Sequence, residues 1–304
     1  MMSSRACVSR LLLVLSVLVS CVASVHAQTP ADSAAAALAA ARPDHEPAFD
    51  IGLVTGADTL VVAFSEPSEL HWREPGGEDQ SARVSGAMTV RRSGTQALVE
   101  PEGSARALPL AVLGPQDTLW VGGEDLDAGD RPVLQWNGHH WRGRFKVFLS
   151  PNGGITLATR VGLEHYLLGV VPGEIGGLKD SLLEAGRAQA IAARSYSLFY
   201  RGRRGREGFD LYATVEDQMY VPTESERPLA TQCVEGTRGQ VVLSEGLPIR
   251  ANYCSTCGGI SAEVWEAWPT DSRPYLRSVR DQGVGAGDHC ALSPQYRWRE
   301  EWSA

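Results

Sequence analysis

Between residues 49 and 160 the sequence is a succession of short runs in which apolar and polar residues alternate: TLVVAFS, ARVSGAMTVRRSG, TLWVGG, PVLQWNG, GRFKVFLS and GITLATRV. Successive side chains of a strand point to opposite faces, so this alternation marks strands with one face buried. Gly, Pro, Asn and Asp between the runs supply the turns. The pattern predicts an antiparallel, strand-rich region. Within it, SPNGGIT is a hairpin signal, because Asn152-Gly153 suits positive φ.

Beyond residue 160 the pattern changes. The stretch LEHYLLGVVPGEI, Leu163 to Ile175, reads as an apolar strand or buried segment that stops at Pro172-Gly173 and presents Glu174. A helix is predicted from about Lys179 to Tyr200, with Asp180 or Ser181 capping its start. Ala188 to Ala193 is apolar on nearly every face except Gln189, the mark of a buried helix. ESERPLATQCVEGT reads as a further helix, GQVVLSEG and PIRANYCST as two strands around a turn at Glu245-Gly246, and SAEVWEAW as a strand or short helix. The fold class is α+β: a strand-rich N-terminal region, then a mixed α/β region containing one buried helix.

The chain has 304 residues, a net charge of -8 and 43% hydrophobic residues, enough for one large domain or two smaller ones. The acidic balance argues against nucleic acid as a partner, which needs a basic footprint. Arg5 and Arg10 flank the start of the chain, and the apolar run Leu11 to Val19 is too short to span a bilayer. Val25-His26-Ala27 then offers small residues for cleavage, so residues 1–27 read as a secretory signal peptide. Leu18-Val19-Ser20-Cys21 offers a second reading, a lipobox whose Cys21 carries a lipid anchor, the one expected route to a membrane. On either reading the mature chain is extracytoplasmic, in the periplasm or cell envelope. Residues 28–48 read as an Ala/Pro-rich linker and 49–140 as the β-rich region.

Several residue types invite chemistry. Glu174 is either a helix-start carboxylate favoured by the macrodipole or a general acid/base whose pKa is raised by Val170, Val171 and Ile175. A buried Arg194 must be paired, with a structural carboxylate or with Glu174, unless it clamps a substrate. Gln218 and Tyr220 face the same side of an extended segment, where an amide and a phenol suit the hydroxyl and N-acetyl groups of a sugar. Cys233, Cys254, Cys257 and Cys290 remain after the leader. A disulfide such as Cys257–Cys290 suits an oxidising compartment; zinc bound by Cys254, Cys257, His289 and Cys290 is a second reading, and thiol catalysis a third. Trp265, Trp268, Tyr275, Tyr296 and Trp298 are expected in a core, with some free to stack on sugar rings.

In order along the chain, WRGRFKVFL, LEHYLLGVVPGEI, EAGRAQAIAARSYSL, DQMY, VEGTRGQVVLSEGLPIRANYCSTCGG, PYLRSV and CALSPQYRW resemble the SpoIID/LytB family, named after stage II sporulation protein D and an amidase enhancer. The match runs from about Trp141 to Trp298, and residues 141–304 are expected to form the family's catalytic domain. The resemblance implies a peptidoglycan lytic transglycosylase acting on glycan strands, those stripped of stem peptides included. It places the catalytic glutamate on Glu174, and substrate-binding positions on Arg194, Gln218, Tyr220, Ser255, Gly258 and Gly259. No cofactor beyond the zinc option is implied. The stretch LYATVEDQMY lacks the two cysteines that some members use for a metal. Ile-Gly-Gly follows Glu174 where Met-Pro is usual, the gap to Arg194 is about two residues longer, and the chain stops soon after SPQYRW, as in a truncated product or a short member.

Two rivals from other classes stand beside the enzyme. One is a peptidoglycan-binding amidase enhancer that does not cleave, with a cell-wall amidase as partner. The other is a metal- or disulfide-stabilised structural protein of the envelope.

Overall fold

The computed structural model describes residues 46–73, 77–102, 109–123, 134–269, 273–283 and 287–302. The expected leader, Cys21 and the linker up to residue 45 lie outside the described residues. The fold is α+β, as the sequence predicts. The strands are β1 (Ala48–Ala57), β2 (Thr59–Arg73), β3 (Asp79–Ser93), β4 (Gln96–Pro101), β5 (Ala111–Leu113), β6 (Thr118–Val121), β7 (Leu134–Trp136), β8 (His139–Trp141), β9 (Arg144–Leu149), β10 (Ile155–Gly162) and β11 (Leu211–Tyr212). They form one sheet in the order β11-β1-β10-β9-β6-β2-β3-β4-β5, with β7 on β2 and β8 on β7. Strands before and after residue 140 share this sheet: β1 pairs antiparallel with β10 and parallel with β11.

Strand β2 alternates buried and exposed residues along most of its length. Its first half pairs with β7 and its second with β6, and its register against β3 shifts between Phe64 and Ser68. Pro67 lies in that irregularity, where its missing N–H costs no ladder bond. The β9–β10 hairpin closes with Gly153 N–H donating to Ser150 O at 2.8 Å. Gly153 alone of the predicted pair takes positive φ, at 85°.

Strand β10 is covered on both faces and runs without a loop into helix α1 (Leu163–Ile175). Here the strand reading of Leu163–Ile175 fails. Gly169, Pro172, Gly173 and the β-branched pair Val170-Val171 all have poor helix propensity, yet Leu163 to Pro172 is buried apart from His165. Tertiary burial outweighs intrinsic preference. The first turn has no side-chain cap of its own; its orphan donors are met by Glu46, whose Oε1 accepts Glu164 N–H at 2.6 Å, and by Pro47 O.

Helix α2 (Leu183–Phe199) follows a 3-10 turn, Asp180–Leu182. Neither Asp180 nor Ser181 caps it; its N-cap position is Leu182. Only its C-terminal half is enclosed: Ala188 is exposed, and Ala193 to Phe199 are buried. The core therefore holds two helices rather than one, and α1 is the more deeply set. Helix α3 (Pro228–Gly236) packs on α2 where Gly186 leaves room for Cys233. Strands β12 (Leu243–Ser244) and β13 (Leu247–Pro248) form the predicted turn at Glu245-Gly246, with φ of 53° and 80°. Helix α4 (Val264–Ala267) opens with a Glu263/Glu266 capping box. Among the described residues, no helix is long and apolar enough to cross a membrane.

Arg194 ties α2 to α1. It is 1% exposed; its Nε and Nη2 donate to the two oxygens of Glu164 at 2.8 and 2.7 Å, and its Nη1 donates to Gln240 O at 3.1 Å. A fully satisfied buried pair is costly to break on one side only, about 3–5 kcal/mol. Arg194→Met is expected to lose a cost of that order in denaturant unfolding. The double variant with Glu164→Gln is expected to lose less than the sum of the single losses.

Candidate active site

Glu174 is the penultimate residue of α1, not the first residue of a helix. The macrodipole there is negative, so it disfavours the charged carboxylate instead of favouring it. The backbone of Met219–Val221 runs along the same end of α1, against the face that Gly169 and Gly173 share at i, i+4 spacing. A Cβ on Gly173 would lie 2.5 Å from Met219 O, and one on Gly169 2.5 Å from the Tyr220 ring. Only glycine permits this approach. It brings Met219 N–H to 2.7 Å from Glu174 Oε1.

The Tyr253 hydroxyl also hydrogen-bonds the Glu174 side chain. That hydroxyl accepts from Gln218 Nε2 at 3.0 Å, leaving its own proton for the carboxylate. Burial raises the Glu174 pKa above its ordinary value, and the donors Met219 N–H and Tyr253 O–H pull it part of the way back. Burial also pushes the Tyr253 phenol well up, with the Glu174 charge adding to it. Tyr253 therefore stays protonated as a donor. Sequence reasoning passed over Tyr253, which lies beside CSTCGG without any local signal of its own.

The other expected substrate contacts lie beneath the surface. Gln218 is 0% exposed and spends its whole capacity inside the protein. Its Nε2 donates to Ala193 O and the Tyr253 hydroxyl, and its Oε1 lies 2.8 Å from Ser197 Oγ and 3.4 Å from the Tyr166 hydroxyl. Tyr220 is 4% exposed, its ring 5.0 Å from that of Tyr166 and 5.5 Å from that of Trp141. Arg194 pairs with Glu164, so neither the clamp nor the pairing with Glu174 is formed. All three side chains are buried and find their partners inside the protein, so burial closes direct contact with a ligand.

Asp217, just before Gln218, has a fully buried side chain paired with Arg203 and Arg204 at 3.0 Å each, and it accepts the Tyr212 N–H at 2.9 Å. Ion pairs thus close the loop in which the sequence has no cysteines. Ser255 is exposed two residues beyond Tyr253. Gly258 and Gly259 take positive φ, and a Cβ on Gly259 would strike Asp288 at 2.2 Å.

The four-residue zinc set is not assembled. Cys257 Sγ and Cys290 Sγ are 3.5 Å apart, but Cys254 is exposed and the His289 ring lies beside Gly283. The third group at that cysteine pair is Asp281, which the sequence did not single out. Trp265, Trp268 and Trp298 are exposed, not core, and Arg250 lies over the Trp268 ring, 4.1 Å from its centroid.

The raised pKa has a sign for stability. Protonated Glu174 favours the fold below its unfolded value near 4.5, and that contribution is lost as pH rises through the folded value. Glu174→Gln is expected to raise the melting temperature at neutral pH and to leave it nearly unchanged in acid. In an NMR carboxyl titration Glu174 is expected to titrate above 4.5, and Tyr253→Phe to move it higher still, because a donor to the ionised form is removed.

Residues 151–243 match the family model described as SpoIID, stage II sporulation protein. The chain is 32% identical over 137 residues to the stage II sporulation protein D of Bacillus amyloliquefaciens, covering 39% of this chain and 38% of that protein. It is 29% identical over 134 residues to an uncharacterized protein of Brachyspira hyodysenteriae, covering 44% and 36%. With the amidase enhancer of Bacillus subtilis (strain 168) it shares 34% over 115 residues, covering 38% and 15%. The matched part is thus under two-fifths of each relative's own length. No solved structure matches. The family-model match spans the stretch that carries Glu174, Arg194, Gln218 and Tyr220, and over that stretch the chain is similar to the SpoIID family.

Proposed function

We propose that this chain is a peptidoglycan lytic transglycosylase that cleaves glycan strands with Glu174 as its single acid/base. The observation that carries the reading is a half-exposed carboxylate with a raised pKa, held by one backbone N–H and one phenol. No charged group is among the causes of its shift. Most glycosidases use two carboxylates. A single one suffices when the nucleophile belongs to the substrate.

In this mechanism Glu174 gives its proton to the glycosidic oxygen as the bond from the anomeric carbon breaks. The muramic acid C6 hydroxyl then bonds to that carbon and its proton passes to Glu174, which restores the acid. The product carries an anhydro-muramic end. An intramolecular nucleophile removes much of the entropic barrier. Tyr253 and Met219 N–H aim the carboxylate, and Gln218, Tyr220 and Arg194 position those groups from beneath. Exposed Ser255 and the Gly258-Gly259 turn are the proposed contacts to the glycan. Export to the cell envelope belongs to the same proposal.

The similarity to an amidase enhancer favours one alternative, a glycan-binding protein that assists a cell-wall amidase without cleaving. Digestion of intact and amidase-stripped peptidoglycan, read by mass spectrometry, separates the two. Anhydro-muramic ends are expected from the parent protein and not from Glu174→Gln. The rate is expected to fall as pH rises through the raised Glu174 pKa, since the acid form starts the reaction. Glycan that is retained by both proteins and cut by neither favours the binding reading.

A further inference from the structure

Past Ala251 the chain changes character. Among the described residues from 252 to 302, Val264 is the one buried apolar side chain. Regular structure there is the short helix α4, a 3-10 turn at His289–Leu292 and two isolated bridges, Ile260↔Arg280 and Gln282↔Asp288. A segment with so little apolar burial needs another source of stability, and a metal or a cross-link is the usual one.

Such a source lies at its centre. Cys257 Sγ, Cys290 Sγ and a carboxylate oxygen of Asp281 are all within 4.8 Å of one another. The sulfurs are 3.5 Å apart, close to the edge of about 3.8 Å spanned by two thiolates on a tetrahedral zinc with Zn–S near 2.3 Å. The three residues are held by backbone as well as side chains. Asp281 N–H donates to Gly259 O at 2.9 Å, and Cys290 N–H donates to Asp281 Oδ2 at 2.7 Å. That second bond orients the carboxylate as the outer shell of a metal site does. Gly259, with no side chain, lets Asp288 pass close to the turn that carries Cys257.

We propose that Cys257, Asp281 and Cys290 bind one zinc ion, with water completing its shell. Two sulfur donors and one carboxylate suit zinc better than a hard cation such as magnesium or calcium. On binding, each thiol loses its proton to solvent, and the two thiolates and the carboxylate leave the site with a single net negative charge. The ion would tie residue 257 to residues 281 and 290 and so fix the turn that follows Tyr253. This inference is independent of the glycan chemistry proposed above.

The test is metal analysis and native mass spectrometry of the full chain, purified without chelator and then titrated with zinc. About one zinc per chain is expected. Asp281→Asn keeps the hydrogen bond to Cys290 N–H and loses one anionic ligand, so its zinc affinity is expected to fall by more than the ~10–100-fold that outer-shell losses cost. Cobalt substitution is expected to give a thiolate charge-transfer band that Cys257→Ser and Cys290→Ser each diminish. Three results would overturn the proposal: Cys257 and Cys290 recovered as a disulfide-linked peptide from metal-free protein, free thiols with no zinc uptake, or zinc retained at full affinity when both cysteines are replaced. The first two are read on the parent protein, so they stand even if the variants fold poorly.

Discussion

The close approach of the Met219–Val221 backbone to the glycine face of α1 sets the geometry on which the rest of the site depends. A methyl group at Gly169 or Gly173 would meet the Tyr220 ring or a carbonyl oxygen at 2.5 Å, well inside van der Waals contact. With glycine at both positions, Met219 N–H reaches Glu174, and Tyr220 seats its ring against Tyr166 and Trp141. Because α1 continues β10 without a loop, the carboxylate is referenced directly to the sheet. A side chain built on rigid elements is held more accurately than one on a free loop.

Helix α1 carries one carboxylate near each end, and the two ends treat them differently. Glu164, in the first turn, has the positive end of the macrodipole and a bidentate arginine, and it is enclosed. Its charge is fully matched, so it is structural. Glu174, in the last turn, has the negative end of the macrodipole, no cation among the causes of its shift, and partial access to solvent. Its charge is under-compensated, and its pKa lies above the ordinary carboxylate value. The Arg194–Glu164 pair matters to this contrast because it holds α1 to α2, and α2 supplies the Ala193 carbonyl and the Ser197 hydroxyl that fix Gln218.

Support passes outward in layers from there. Gln218 orients Tyr253, Tyr253 orients Glu174, and Asp217 with Arg203 and Arg204 fixes the chain just before Gln218. The segment after Ala251 contributes Tyr253 and the Gly258-Gly259 turn, but it has little core of its own. Its geometry rests on polar contacts and on the cluster of Cys257, Asp281 and Cys290.

The sequence by itself determined the strands, the α+β class and the turns at Gly153 and Glu245-Gly246, and it singled out Glu174. These follow from side-chain alternation, backbone sterics and an ordered set of motifs, all of which are local. The tertiary structure decided the rest. It made a helix of Leu163–Ile175, against its poor helix propensity, because burial of its apolar faces and a close-packed neighbour outweigh that preference. It gave Arg194 to Glu164 rather than Glu174, because partners 30 residues apart are chosen by helix packing. It turned Gln218 and Tyr220 inward, and it brought in Tyr253 and Asp281. A side chain's role depends on which distant backbone passes beside it, and local sequence patterns do not encode that.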